Sequence, residues 1–552
     1  MTRRALVIGL DGATWDVIEP LGRAGRLPHL WGLAERGVRG PLRSTIPPMT
    51  FPAFPSLLTG LNPGRHGILG PESVDLEAYG RAEGRLSVGS GAIAGRTVLD
   101  LASRAGRRVL SYGVPMTYPA WPINGVLVAG VPTPDMFRLY AEPAEAVEGL
   151  SVRVPSRGKG FNIDSFQEEA PRRPAEDVLE YAQAEIESTA DNVVALLRRS
   201  AYDLAVFVIR APDIVHHALF RAGEVGARNR PLIDRVYEQV DAAVGRVLTE
   251  VGDDWLVVLV SDHGAGPAPV VELNLNAWLG QRGLLAAQRS GRGQLARAAV
   301  QAMRSIARHT GLKSVLLRRM SGTQHRRVAR MRLAGQQIDW TGTRAYAVRT
   351  SFPAGGILVN LRGRQPQGIV EPGEQYERVR DEVISALRDL KAPGGSRPLI
   401  SEIYRREELY HGPHVSAAPD IVFLTDPEFI LGDRLDRVVQ RMDAAAAATG
   451  RSVHRLHGIV ALHGRGVFRG GATVPGAGIV DVAPTLLYAL GLPIPPDLDG
   501  RVLTQAFEPA FLERVAVLAG VNVGDAPAQT SEYSADEEEG IRDALRGLGY
   551  IE

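Results

Sequence analysis

Apolar residues fall along the chain in two patterns. Short unbroken runs occupy residues 5–10, 204–209, 255–260 and 421–424. Runs of this length, rich in β-branched side chains, predict strands buried on both faces. Between them the spacing turns helical, over residues 174–199 and again over 230–251. In the second stretch Ile233, Val236, Val240, Ala243 and Val247 share one face. Strands alternating with helices predict an α/β fold with a largely parallel central sheet flanked by helices. Each run stops at polar residues. The first ends at Asp11, the second at Arg210 and then Asp213, the third at Asp262 and His263. Open α/β sheets bind ligands beyond the carboxyl ends of their strands, which is where all four of Asp11, Asp213, Asp262 and His263 fall.

Residues 281–335 depart from that alternation. They are rich in arginine from Arg282 to Arg332, and no acidic residue occurs between Glu272 and Asp339. They read as one or two basic amphipathic helices inserted into the core. Such an insertion serves either as a solvated cap or as a surface for an anionic partner. The expected organisation is therefore residues 1–280 as the first part of the core, 281–335 as a basic helical cap, and 336–510 as the second part. Residues 511–552 form a polar tail with a short helix over 541–548. Pro/Gly-rich loops are expected at 393–398, 470–478 and 491–500.

Composition narrows the chemistry. Sixty-three basic and sixty-two acidic side chains leave a net charge of +1 over 552 residues, which excludes a globally basic nucleic-acid coat; no specific nucleic-acid binding is expected. The chain has no cysteine, so disulfides, thiolate metal sites and a cysteine nucleophile are excluded. A metal would have to use His, Asp, Glu, hydroxyl or backbone oxygens. No run approaches the ~20 apolar residues of a membrane span. The run at 5–10 is too short for a signal-peptide core, and the expected location is cytoplasmic.

Two constellations carry chemistry. Asp213 and His217 stand four apart, on one face if the segment is helical, where they can share a metal with strand-end ligands. Thr50 precedes a short helical pattern ending near Gly60 and is placed as an N-cap. Its hydroxyl has either a capping role alone or the role of a nucleophile beside an anion held at the helix N-terminus.

Taken together, the motifs resemble the alkaline phosphatase superfamily, in its type I phosphodiesterase/nucleotide pyrophosphatase branch. The resemblance rests on Asp11-Gly12, on Thr50-Phe51-Pro52 through Thr59-Gly60-Leu61-Asn62-Pro63-Gly64-Arg65-His66-Gly67-Ile68, on Pro212-Asp213 with His217, and on Ser261-Asp262-His263-Gly264. Ala418-Pro419-Asp420 and Asp481-Val482-Ala483-Pro484-Thr485 add to it, and it covers about residues 3–505 apart from the insertion. It implies an alkaline-phosphatase-like core and two divalent metal ions, zinc favoured over manganese. One ion would be held by Asp11, Thr50, Asp262 and His263. The other would be held by Asp213, His217 and a further histidine. Of His454, His457 and His463, His454 fits the family pattern best and His457 is the runner-up. The implied activity is hydrolysis of phosphodiester or pyrophosphate bonds in a small phosphate ester, through a phosphothreonine intermediate on Thr50. A phosphomonoesterase, a phosphonate hydrolase, a phosphoryl transferase and a non-catalytic binding protein on the same fold are the alternatives. Pro71 falls where the branch carries a phosphoryl-binding Asn, leaving the Gly70 amide or Arg210 as substitutes. A monoesterase would need a cation at the dianion, for which Arg210 and Arg65 are the candidates. A sulfatase is excluded by the missing Cys and by the lack of an Arg after Thr50-Phe51-Pro52.

Overall fold

The unbroken apolar runs become strands because both of their faces are covered. The computed structural model describes residues 3–75, 79, 81–86, 88–155, 175–221, 223–289, 336–349, 353–392, 395–442, 452–525 and 533–547. In it the strand Arg4–Leu10 lies between Leu204–Ile209 and Trp255–Val260, parallel to both. Its side chains alternate between two cores, Leu6, Ile8 and Leu10 facing one and Ala5 and Val7 the other, as the two-residue strand period requires.

These strands form the centre of a ten-stranded sheet. Its order is Ala472–Thr473, Val38–Arg43, His457–His463, Trp255–Val260, Arg4–Leu10, Leu204–Ile209, Val109–Val114, Gly125–Ala129 and Ala141–Glu142, with Ala477–Gly478 also pairing Val38–Arg43. The neighbours from Trp255–Val260 to Gly125–Ala129 are all parallel. His457–His463 runs antiparallel to both of its partners. Helices including Ala175–Arg199, Ala211–Leu219 and Gly223–Val251 cover one face. Helices including Thr50–Thr59 and Val482–Leu490 cover the other. This is the layered arrangement that buried parallel strands need.

Several expectations shift. The helix expected from residue 230 starts earlier, at Gly223, and carries Pro231 inside it; a proline reads as a helix start because it is favoured at the first position. The run at 421–424 is a strand, Ile421–Thr425, but it belongs to a separate four-stranded antiparallel sheet with Ala345–Arg349, Ala354–Val359 and Ile400–Arg405. That sheet packs against the helix Glu374–Arg388. The loop expected at 470–478 contains two short strands that extend the main sheet. The terminal helix is Ala535–Gly547, and Ile541 and Leu545 are fully buried in the main core. Most of the basic insertion, residues 290–335, lies outside the described residues. Its flanks, Ala286–Arg289 and Gln336–Asp339, pair antiparallel, so the chain leaves and re-enters through one ladder.

Beneath the helix Thr50–Thr59 lies His66, fully buried. Its Nδ1 accepts from the Ile68 amide at 3.2 Å, and its Nε2 lies 3.0 Å from Ser56 Oγ. The ring is thereby held neutral, and burial, with His414 nearby, pushes its pKa down to about 3. Protonation is penalised only in the folded state. The stabilisation is therefore full above the unfolded value of ~6.5 and lost as pH falls from there toward 3. At pH 5 the loss amounts to about 2 kcal/mol. The unfolding free energy of a His66→Gln variant should fall less than that of the wild type between pH 7 and pH 5, by about this amount. Equal pH slopes for the two proteins would refute the assignment.

Candidate active site

Three parallel strands deliver the acidic residues to one edge. Asp11 follows Arg4–Leu10 and donates its amide to Ile209 O at 3.0 Å. Gly12 then turns the chain at φ +65, and a Cβ there would sit 3.0 Å from Asp213 Oδ1. Glycine at this point admits both the turn and the close approach of Asp213. The Gly12 amide donates to Asp262 Oδ1 at 3.2 Å. Asp213 and His217 occupy one face of the helix Ala211–Leu219, with His217 Nε2 3.2 Å from Asp213 Oδ1, as the four-residue spacing predicts.

The structure also separates the three C-terminal histidines. The short strand Val453–Arg455 pairs antiparallel with Gly264–Gly266, and the register sets His454 opposite Ala265. His454 is thereby carried beside His263, the two rings stacked at 3.7 Å. His454 Nε2 lies 3.0 Å from His217 Nε2 and 3.6 Å from Asp213 Oδ1. His457 pairs instead with Arg43, has an exposed side chain, and feels Arg43 and Glu402. His463 is the last residue of its antiparallel strand, opposite Val257, toward the other edge of the sheet. His216 turns away from the cluster, its Nε2 3.3 Å from Tyr237 Oη and its ring against Phe220.

Thr50 is the first residue of its helix, not the cap. Met49 holds the N-cap position with extended backbone, and Gly60 closes the helix in the left-handed conformation. Boundaries of this kind shift by a residue between sequence and structure. Thr50 Oγ1 lies 3.4 Å from Asp11 Oδ1 and 3.4 Å from His263 Nε2. His263 Nε2 is in turn 3.6 Å from Asp11 Oδ1 and 3.3 Å from Asp262 Oδ2.

These distances allow a test of metal fit. A tetrahedral ion with bonds of about 2.0–2.1 Å places its ligand atoms roughly 3.3–3.4 Å apart. The separations among Asp213, His217 and His454, and among Asp11, Thr50, Asp262 and His263, scatter around that edge length. Ligand-capable atoms of Asp11, Asp262 and His263 lie within 4.8 Å of one another, as do those of Asp213, His263 and His454. Asp213 Oδ1 and Asp262 Oδ2 are buried and accept no hydrogen bond, which is costly for a carboxylate unless a cation faces it. The donor set of nitrogens and carboxylate oxygens suits zinc. His454 Nδ1 lies 2.9 Å from Pro48 O, and His263 Nδ1 lies 3.1 Å from Gly264 O. Each carbonyl takes the Nδ1 proton and leaves the Nε2 lone pair facing the carboxylates, the orientation expected of a metal-ligating imidazole. Neither carbonyl is marked by residue type, so sequence reasoning had no signal for them.

The electrostatics point the same way. Burial, then Asp262 and Asp213, push the Asp11 carboxyl well above the usual range, with Arg210 pulling it back. Burial also raises Asp262, to about 6. Burial opposes the charged Asp213 as well, but His217 and His454 hold its carboxyl well below the usual range. Burial and then His454 keep His263 neutral. Protein groups alone leave this cluster of carboxylates undercompensated.

Of the two candidate cations for a dianion, Arg65 is excluded by its surroundings. It pairs with Asp497 at 3.1 Å, Asp499 at 3.7 Å and Asp525 at 2.5 Å, so its charge is spent on the fold. Arg210 remains beside Asp11. The Glu185 carboxylate accepts from the backbone amides of Arg210 at 2.9 Å and Ala211 at 3.2 Å. It satisfies amides at the start of the Asp213 helix. Glu185 sits inside a long helix, where its sequence position gives no hint of this.

A sequence-family model for type I phosphodiesterase/nucleotide pyrophosphatase matches residues 5–458. No curated protein matches the chain. Similar solved structures include human ectonucleotide pyrophosphatase/phosphodiesterase 5, at 14% identity and TM-score 0.47, covering 92% of this chain and 100% of that one. An inactive variant of the murine protein in complex with AMP matches at 15% identity and TM-score 0.47, covering 92% and 100%. Phosphonoacetate hydrolase from Sinorhizobium meliloti 1021, in complex with phosphonoformate, matches at 14% identity and TM-score 0.48, covering 89% and 96%. Among the described residues no helix is long and apolar enough to cross a membrane.

Proposed function

The chain belongs to the type I phosphodiesterase/nucleotide pyrophosphatase family of the alkaline phosphatase superfamily, a family of hydrolases, and on that footing we propose that it cleaves phosphodiester or pyrophosphate bonds with Thr50 as the nucleophile. The observation that carries this reading is the position of Thr50 Oγ1, at the head of a helix and 3.4 Å from both Asp11 Oδ1 and His263 Nε2. Asp11, Thr50, Asp262 and His263 would hold one divalent ion, and Asp213, His217 and His454 a second. Two zinc ions bound there would supply the positive charge that lowers the Thr50 hydroxyl pKa and neutralises the phosphoryl oxygens.

The protein's own groups account for the rest. Thr50 heads its helix, where the positive end of the helix dipole favours the anion that Thr50 attacks. Asp11 Oδ1 lies 3.4 Å from the hydroxyl whose proton must leave. Oγ1 bonds to phosphorus as one ester alkoxide departs on the opposite side, leaving a phosphothreonine that still carries the other ester group. Water then enters from the vacated side, the phosphorus–Oγ1 bond breaks, and Oγ1 recovers a proton. Pro48 O and Gly264 O keep His454 and His263 in the tautomers this arrangement needs.

The test is steady-state hydrolysis of an aryl phosphodiester against the matching aryl monoester by zinc-reconstituted protein. We expect kcat/KM to favour the diester by at least about tenfold. Monoester preference would reassign the enzyme as a phosphatase.

A further inference from the structure

Beside the proposed site a cleft opens at the carboxyl ends of Leu204–Ile209, Val109–Val114 and Gly125–Ala129. Val208, Gly113 and Ala129 form part of its floor, and Arg210, Glu185 and Arg138 are among its walls. Its volume is about 100 Å³, roughly the share of three waters in the liquid. It suits a small group on a short linker. Thr50, Asp11 and Asp213 are not among the lining residues. Arg210 is the link, because it borders the cleft and also acts on the Asp11 carboxyl.

Two of the guanidinium groups in this cleft form no ion pair among the described residues. Arg153 at its edge pairs with Glu187 and Asp191. The Glu185 carboxylate is spent on two backbone amides. The Arg210 guanidinium bonds the Tyr181 side chain, and among the described residues no carboxylate pairs with it. Arg138 at the rim lies 5.2 Å over the Tyr140 ring and likewise has no carboxylate partner among the described residues. Glu185 and Asp11 act on Arg210 without an ion-pair contact, and Arg138 is exposed at the rim; both guanidinium groups are thus open to a ligand, and their planar forks match carboxylate and phosphate oxygens.

Building on the phosphodiesterase reading, we propose that this cleft is a subsite for a second anionic group of the substrate, a carboxylate or a phosphate a few bonds from the reacting phosphorus, bound by Arg210 and Arg138. The subsite selects which alcohol of a phosphodiester is held while the other leaves. It makes small, doubly anionic esters the preferred substrates over uncharged alkyl or aryl diesters.

A matched series tests this: p-nitrophenyl phosphodiesters whose second alcohol is ethanol, glycolate or 2-phosphoethanol. The wild type should show kcat/KM at least about tenfold higher for one or both anionic esters than for the ethyl ester, and the better of the two identifies the group. Arg210→Lys and Arg138→Met should each lose more on the anionic ester than on the ethyl ester, mainly through KM. The same three compounds are titrated calorimetrically into Thr50→Ala, where binding is read without turnover. Equal Kd for all three, or equal proportional losses in both arginine variants, overturns the subsite. Turnover of none of them by the wild type would sink the phosphodiesterase reading, and the calorimetric comparison would still decide this one.

Discussion

Replacing Thr50 by alanine should abolish turnover, with kcat reduced on the order of 10³-fold or more while the fold and metal content persist. Alanine suits the first turn of a helix, and Met49 rather than Thr50 is the N-cap, so removal of the hydroxyl should spare the helix. Thr50→Ser keeps the attacking oxygen and should retain measurable activity. The decisive measurement is acid-quenched reaction with a substrate labelled in the phosphoryl group. Label should remain on the wild type and be absent from Thr50→Ala. An alanine variant within tenfold of wild-type turnover, or a wild type that never carries label, would remove Thr50 from the chemistry.

The residues that make this prediction possible were legible in the sequence to different degrees, for physical reasons. Leu204–Ile209 and Trp255–Val260 stand where the unbroken apolar runs predict them, because a strand covered on both faces leaves an undiluted hydrophobic signature. The polar residues at their ends then had one place to go. The run at 421–424 has the same signature yet belongs to another sheet. Apolarity reports that a strand is buried, not which partner buries it. The choice among His454, His457 and His463 depends on pairing register, which is a long-range property. His454 and His457 stand three positions apart in the chain, and a change of strand between them sends one beside His263 and the other beside Arg43. Arg65 and Arg210 looked alike as cations. Only the folded structure shows that three aspartates converge on Arg65.

Metal removal should cost the protein stability as well as activity, because Asp11, Asp213 and Asp262 are 2%, 3% and 0% exposed and lie together. Metal-free, they repel one another, and Asp11 and Asp262 are driven toward the protonated form. Zinc at a hundredfold to a thousandfold excess over Kd should contribute about 3–4 kcal/mol per ion to the folded state. A chelator should therefore lower the thermal midpoint, and zinc should restore it. Single substitutions apportion the effect. His454→Ala removes a ring that lies 3.0 Å from His217 Nε2 and is oriented by Pro48 O. It should leave about one ion per chain by elemental analysis and roughly halve the response to chelation. His457→Ala changes an exposed side chain directed at Arg43 and Glu402 and should keep both ions. If His454→Ala retains two ions and the full chelation response, the second site is not where Asp213, His217 and His454 converge. If His457→Ala loses one instead, the strand His457–His463 must present its first residue to the site, in conflict with its pairing to Arg43.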